Sequence, residues 1–436
     1  MNDIRPFRGL RFDETVAGSL GSLVCPPYDV ISPLDQINLY GRSPNNVVRL
    51  ELGLEFPEDD ADNNRYTRAA GTLQRWLSAG VLKPDQEPAL YVYEQRFSMG
   101  GSDLVRRGLL ARLRLAPWEA GVVLPHEETM AKPKEDRLKL MHATACNLSP
   151  LFLLFDDPSG EAAALIAEAA GDPPTAEADT ENIQSHRLWA VRGARMDRIL
   201  GALREPQLYV ADGHHRYETA LAYRDEMAGA DASLSPDAAY NFALVLLVDS
   251  RDPGLVVLPT HRLIHGISAE RMRILERTLA GLFHAEVVST TVDGDAASRA
   301  EEITGRMREL APSGPVLGLY GGSTNAAVLR PRDEVMTGLP GSRPVLDVDL
   351  LQDLVLGPAL GIGPEELKAG SAVGYTREAA EAIDAVDRGR AQAAFLLNPT
   401  RVEQVLETAR AGGRMPQKST YFYPKPETGL VINPLR

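Results

Sequence analysis

The chain is poor in cysteine: Cys25 and Cys146 are its two thiols in 436 residues. That number cannot build a disulfide framework, and a zinc site would have to draw most of its ligands from other residue types. Long apolar runs are missing as well. The longest, such as Phe242 to Val248, reach about seven residues, far short of the roughly 20 that span a bilayer. An excess of positive charge is absent too, since 60 acidic residues face 46 basic ones for a formal charge of −14. Such a surface repels nucleic acid and anionic lipid, so neither is an expected partner, and an anionic substrate needs a local basic pocket. The opening residues, MNDIRPFRGL, are charged and lack an apolar stretch. This reads as no signal peptide and a reduced, cytoplasmic protein. There is also no Walker loop, no kinase catalytic-loop signature and no G-x-S-x-G elbow.

What is present is ordinary globular material, 44% hydrophobic and 24% charged. The length suggests roughly two to four packing units. Apolar positions at helical spacing predict a helix over 62–80 that ends at Gly80, and others over 132–143, 160–170, 218–227, 268–282, 296–309, 347–356 and 401–411. Alternating or continuous β formers predict a hairpin from 89–93 and 108–115 around Gly100-Gly101. They also predict strands at 151–155, 208–211, 242–248, 254–258, 284–291, 315–320 and 393–397. Residues 171–182 read as a loop, and Pro26 to Ile31 as an ordered loop or strand edge. Helices and strands intermix throughout, so the fold class is α+β or mixed α/β. The texture changes near residue 265, where a separate α+β unit begins, and a final unit runs from about 344 to 436.

Four strings carry chemistry. Ala211-Asp212-Gly213-His214-His215-Arg216-Tyr217 lies where a short strand turns through glycine into a helix. Backbone N–H groups at that helix start favour an anion, and a guanidinium adds a forked donor for phosphate oxygens. Asp212 there is a hard oxygen ligand for Mg²⁺ or an orienter of His214 and His215, and the alternative is a polar turn with Asp212 as helix cap. Pro125-His126-Glu127-Glu128-Thr129, followed by Lys132, Lys134, Asp136 and Arg137, begins like a zinc-protease motif. Met130 stands in place of the second histidine, which leaves Glu127 as a candidate general base or as part of an acidic helix start. Met415 to Lys425 places Lys418, Ser419 and Thr420 in a proline-bounded loop, a reasonable clamp for carboxylate or phosphate. Pro259-Thr260-His261-Arg262 is a polar cluster at a strand end, and Pro27-Tyr28-Asp29 reads as a structural turn.

Taken together, PFRGLRF, PPYDVI, PHEET, ADGHHRYETA, LPTHRL and MPQKSTYFYPK resemble, over the full length, a bacterial and archaeal family carried as a domain of unknown function. The chain also has a remoter similarity to free serine kinases of the ParB and sulfiredoxin superfamily. Those enzymes carry a Pro-His-Glu element, then Asp-Gly-His-His-Arg, then a C-terminal Pro-Lys-Thr-Thr element. Here Gln417 and Ser419 depart from the last of these. The resemblance implies phosphoryl transfer from ADP or ATP, with Mg²⁺, to a small hydroxyl metabolite such as free L-serine. It implies Glu127 as base, with Asp212 and His215 catalytic and Asp212 on the metal. It implies His126, Gly213, His214 and Arg216 around the nucleotide, and Lys418, Ser419 and Thr420, together with Thr260 and His261, around the amino acid. It further implies an N-terminal extension over 1–115, a ParB/sulfiredoxin-like core over 116–267 and a C-terminal α+β region over 268–436. A phosphatase or nucleotide hydrolase using the same residues, a nucleotide-binding regulator and a metalloenzyme built on His126, His214, His215 and Asp212 are the rival readings.

Overall fold

The structure is a computed structural model. It describes the chain apart from residues 128, 130, 182, 231–234, 292–293, 323–325, 339–344, 364–365 and 367–371, and apart from the side chains of 131–133. Glu128, Met130 and the Lys132 side chain of the Pro-His-Glu string therefore lie outside the described residues. The chain divides into two compact units. The first comprises 1–125, 129–256 and 424–436, and the second 126–128 and 257–423. Residues 1–115 thus pack as one body with most of 116–267, and the contact boundary falls at residue 256 rather than 267.

The first unit is built on a nine-stranded sheet. In chain order its strands are β1 (Ile4–Arg5), β2 (Leu90–Met99), β3 (Ser102–Arg114), β4 (Val123–Leu124), β5 (Leu151–Asp156), β6 (Ala176–Ala178), β7 (Ser185–Val191), β8 (Gln207–Asp212) and β9 (Phe242–Asp249). They lie in the order β4-β8-β5-β9-β3-β2-β7-β6, with β1 on β3. β9 reads FALVLLVD, and all eight positions are buried. A continuous apolar strand of this kind needs cover on both faces, and it finds it near the middle of the sheet. β9 runs parallel to β5, Val245 beside Leu151, and antiparallel to β3. The predicted hairpin is β2–β3. Its two turn residues, Gly100 and Gly101, have φ of 56° and 79°, the left-handed pair that a tight hairpin turn requires. The core beneath the sheet takes Leu165 and Ile166 from helix Glu161–Ala169 and Tyr217 and Tyr223 from helix His214–Ala230.

The sequence reading is short in several places. The 171–182 loop contains edge strand β6, and β7 and helix Gly193–Ala202 behind it were not anticipated. Pro26 to Ile31 forms a loop with a single 3₁₀ turn at Tyr28–Val30, after which Ser32 and Asp35 close a capping box on helix Pro33–Arg42. The helix expected at 218–227 begins four residues earlier, at His214.

The second unit carries a six-stranded sheet of β10 (His261–Ile264), β11 (Phe283–Val287), β12 (Leu317–Tyr320), β13 (Ala326–Pro331), β14 (Val373–Thr376) and β15 (Ala393–Leu397), ordered β11-β13-β12-β15-β10-β14. Ile303 and Met307 of helix Ala296–Leu310 and Ile383 and Val386 of helix Ala379–Asp387 pack with Val328 and Leu396 in one core. The expected helix 347–356 opens as Asp347–Leu350 and continues through Leu351–Leu356 in wider turns. Both units mix helix and strand, so the α+β class stands. Among the described residues no helix is long and apolar enough to cross a membrane.

Candidate functional site

The site residues fall into two clusters, one in each unit. In the first unit, β8 carries a bulge between Val210 and Asp212, which turns Asp212 at the strand end. Gly213 follows with φ of 99°, and helix His214–Ala230 starts at once. A side chain at Gly213 would sit in a left-handed conformation, about 3.1 Å from the Arg216 guanidinium and from Leu151 Cδ2.

Asp212 is held by two cations. Its Oδ2 accepts from Arg216 Nη2 at 2.5 Å, and its Oδ1 accepts from Lys425 Nζ, also at 2.5 Å. The Lys425 ammonium reaches Asp29 Oδ2 at the same distance. Lys425 therefore bridges two carboxylates, with its side chain only 7% exposed, while Asp29 is 37% exposed. Burial works against the Asp212 charge, but Lys425 and Arg216 outweigh it and hold the carboxyl below its usual range. Burial likewise works against the ammonium of Lys425, and Asp212 with Asp29 more than restores it. Asp29 and Lys425 were missed as site residues. Lys425 closes the Met415 string and Asp29 lies in PPYDVI, but a lone lysine and a turn aspartate carry no signal until the fold joins them.

Arg216, expected on the nucleotide phosphates, is already engaged. Nη1 donates to Pro150 O at 2.6 Å and to Ser149 Oγ at 3.2 Å, while Nη2 is on Asp212. A cavity of about 40 Å³ lies against Arg216, lined also by Glu51, Arg137, Ser149 and Leu244. It has room for a few waters, at about 10–15 Å³ each, and none for a nucleotide. Arg216 is thus a positioning residue for Asp212. His214 is buried beside it. Burial lowers the pKa of His215, against the pull of Glu218, so its imidazole favours the neutral form. Glu218 accepts from Thr129 Oγ1, Lys134 Nζ and Trp118 Nε1.

The Asp212 metal expectation does not fit this donor set. Each of its oxygens already faces a cation, and a divalent ion would have to displace one of them. Among the described residues, no group of three His, Cys, Asp or Glu is arranged to hold a metal. That also removes the basis for a centre built on His126, His214, His215 and Asp212.

In the second unit the Pro-His-Glu and Lys-Ser-Thr strings meet. Glu127 forms a parallel bridge with Met415, and Met415 N donates to His126 O at 2.7 Å. The Glu127 carboxylate accepts from the backbone N–H of Lys418. Lys418 is held at φ of 57°, a left-handed conformation rare outside glycine. Its ammonium lies 4.3 Å from the Tyr375 ring centroid, and the Arg262 guanidinium sits 5.0 Å from the same ring. Burial pushes Arg262 down to about 10, partly offset by Tyr375 and Glu127. Arg262 and Tyr375 carry no assigned role in the sequence, although Arg262 ends the Pro259-Thr260-His261-Arg262 string.

Not every expected residue faces a ligand here. His126 is fully buried, with Nε2 3.0 Å from Thr420 Oγ1, and so ties two strings together rather than meeting a nucleotide. Ser419 is buried and its hydroxyl turns back to donate to Pro416 O. His261 is 2% exposed, and its Nδ1 accepts the Leu397 N–H at 3.1 Å. That bond fixes the proton on Nε2, and burial pushes the imidazole down to about 4. Thr260 is buried and its carbonyl accepts from Arg262 Nη1. Lys418 is the exposed member of the group.

No curated protein matches the chain. Among solved structures it is similar to a conserved hypothetical protein from Pyrococcus furiosus, at 15% identity and a TM-score of 0.36, over 74% of this chain and 95% of that one. It is similar to a free serine kinase in complex with AMP, at 14% identity and a TM-score of 0.35, over 74% and 92%. A third likeness is to SbnI with C-terminal truncation from Staphylococcus aureus, at 9% identity and a TM-score of 0.34, over 74% and 87%. Likenesses this distant carry no argument about chemistry. The sequence itself is decisive on kinship: with residues 4–348 matched, the chain belongs to the family described as protein of unknown function, DUF1015.

Proposed function

We propose that this protein is a small-molecule phosphotransferase, moving a phosphoryl group from ADP or ATP to the hydroxyl of a small metabolite, with free L-serine the first candidate. The observation that carries the reading is the contact of Glu127 with Lys418. Two strings 291 residues apart in the chain come together in the second unit as a carboxylate beside a lysine loop. A serine hydroxyl is a poor nucleophile, and a carboxylate within hydrogen-bond reach takes its proton as attack proceeds. The ammonium of Lys418 and the guanidinium of Arg262, both over Tyr375, supply the positive field that a substrate carboxylate needs in an acidic protein. In the first unit, the strand–glycine–helix turn at Asp212 to Arg216 is the type of helix start at which phosphates bind. Positioning and charge neutralisation account for most of the rate in such transfers.

The kinship to the ParB and sulfiredoxin superfamily, and the placing of that core over 116–267, belong to this same reading and rest on the three shared motifs. No protein-held magnesium enters it.

The test is incubation of the purified protein with ADP or ATP, with and without Mg²⁺, and a panel of hydroxy amino acids, read by phosphorus NMR. A new phosphomonoester signal that requires L-serine is the expected result. Release of inorganic phosphate without an acceptor would replace the reading with a hydrolase, and nucleotide binding without turnover would replace it with a regulator.

A further inference from the structure

We propose that Lys425, with Asp29 as its displaceable partner, is the phosphate-binding cation of the first unit. This deepens the nucleotide half of the reading above and rests on it. Arg216, the residue that the sequence offers for the role, has both terminal nitrogens committed to Asp212, Ser149 and Pro150 O. Lys425 is built differently. One side of its ammonium is anchored on Asp212, whose side chain is 18% exposed, and the other rests on Asp29, whose side chain is 37% exposed. The inner pair is costly to break, because either charge would be left buried without compensation. The outer pair is the easier one to open, because Asp29 can move into solvent as an incoming anion takes over the ammonium. An incoming phosphate carries more charge than one carboxylate and suits an ammonium point charge, so it takes the place of Asp29 and leaves Asp212 on the ammonium.

The charge balance fits. Asp29 and Asp212 offset Lys425 and Arg216 one for one in the three ion pairs. Swinging Asp29 away leaves one carboxylate against two cations, which is an anion site made on demand. Asp29 is placed for that movement. It lies in the single 3₁₀ turn at Tyr28–Val30, which follows two prolines and precedes the capped helix Pro33–Arg42.

The experiment is isothermal titration of the full chain with inorganic pyrophosphate, which carries the phosphate chemistry without a nucleoside. Wild type, Asp29→Asn, Lys425→Met and Lys425→Arg are compared. Asp29→Asn should bind pyrophosphate about threefold or more tightly, since it removes the competing carboxylate. Lys425→Met should weaken binding by more than about tenfold, and Lys425→Arg should bind better than Lys425→Met. A bridge that stays closed gives no loss specific to Lys425→Met and no recovery in Lys425→Arg, because the phosphate then never meets the ammonium. Binding by Asp29→Asn equal to or weaker than wild type overturns the inference, and so does a wild type that binds no pyrophosphate. The outcome is separable from the kinase reading. Tightening at Asp29→Asn without any phosphoserine product keeps Lys425 in its role and removes the kinase, and phosphoserine formation with no tightening does the reverse.

Discussion

Arg216 reaches back four residues to hold Asp212, its Nη2 donating at 2.5 Å to Oδ2 while Nη1 donates to Pro150 O. A single ammonium cannot make both contacts. Arg216→Lys should therefore keep the charge yet lose about 1–3 kcal/mol, the cost of a buried acceptor left unmet. The chain has three tryptophans, Trp76, Trp118 and Trp189, and all lie in the first unit. Urea unfolding followed by tryptophan fluorescence reads that unit alone, and a midpoint unchanged from wild type would refute the positioning role.

Glu127 separates chemistry from structure. Its carboxylate accepts one backbone N–H from Lys418, and a glutamine carbonyl can accept the same bond. Glu127→Gln should keep that bond and the native circular dichroism, and lower turnover by more than about a hundredfold, the scale of a lost general base. Turnover like that of wild type would remove Glu127 from the mechanism.

Lys418 should trade stability for function. Its φ of 57° costs a side-chain-bearing residue about 1–2 kcal/mol, and glycine adopts it without strain. Lys418→Gly should thus unfold no earlier than wild type by calorimetry, while KM for the acceptor rises more than about tenfold through loss of a charge-assisted contact. A clear fall in stability would show that the contact of its ammonium with Tyr375, rather than the substrate, is what the lysine serves.

Glu427 gives the first unit a pH signature. It is buried, and desolvation pushes its carboxyl up to about 8, against a weak pull from Arg42. Between about 4.5, its value in an unfolded chain, and about 8, the folded state holds a proton that the unfolded state has lost. Stability from this group is complete below the lower value, falls as pH rises through the window and levels off above it. Tryptophan-monitored melts from pH 5 to pH 9 should show a declining midpoint in wild type and a flatter profile in Glu427→Gln. Parallel profiles would mean that the carboxyl is solvated.

Much of the fold is legible from local pattern. The β2–β3 hairpin follows from two glycines between β formers, and β9 from an unbroken apolar run. β7 escaped because SHRLWAV mixes polar and apolar residues, with buried His186 sitting between Tyr93 and Thr180. Of the site, the strings were visible and their internal roles were not. His261 and His126 look reactive in sequence, but the fold uses them as buried hydrogen-bonding groups. Lys425 and Asp29 stand 396 residues apart, and no local signal links two such charges. Tyr375 belongs to no motif, since what selects it is the flat ring under two cations, which only the fold provides.

The first unit is discontinuous, and its last segment, 424–436, is made only after the whole of 257–423. That segment places Thr428 on Cys25, Ile432 on Leu10 and Asn433 on Asn147. During synthesis, at about 5–20 residues per second, the first unit therefore waits on the order of ten seconds or more for the strap that joins Leu10, Cys25 and Asn147. Lys425 arrives with that strap, so until then Asp212 has Arg216 alone as its cation and Asp29 lacks the ammonium it meets in the finished unit. A ribosome-bound chain stalled before residue 424 should therefore leave the first unit open to proteases that spare it once 424–436 is in place.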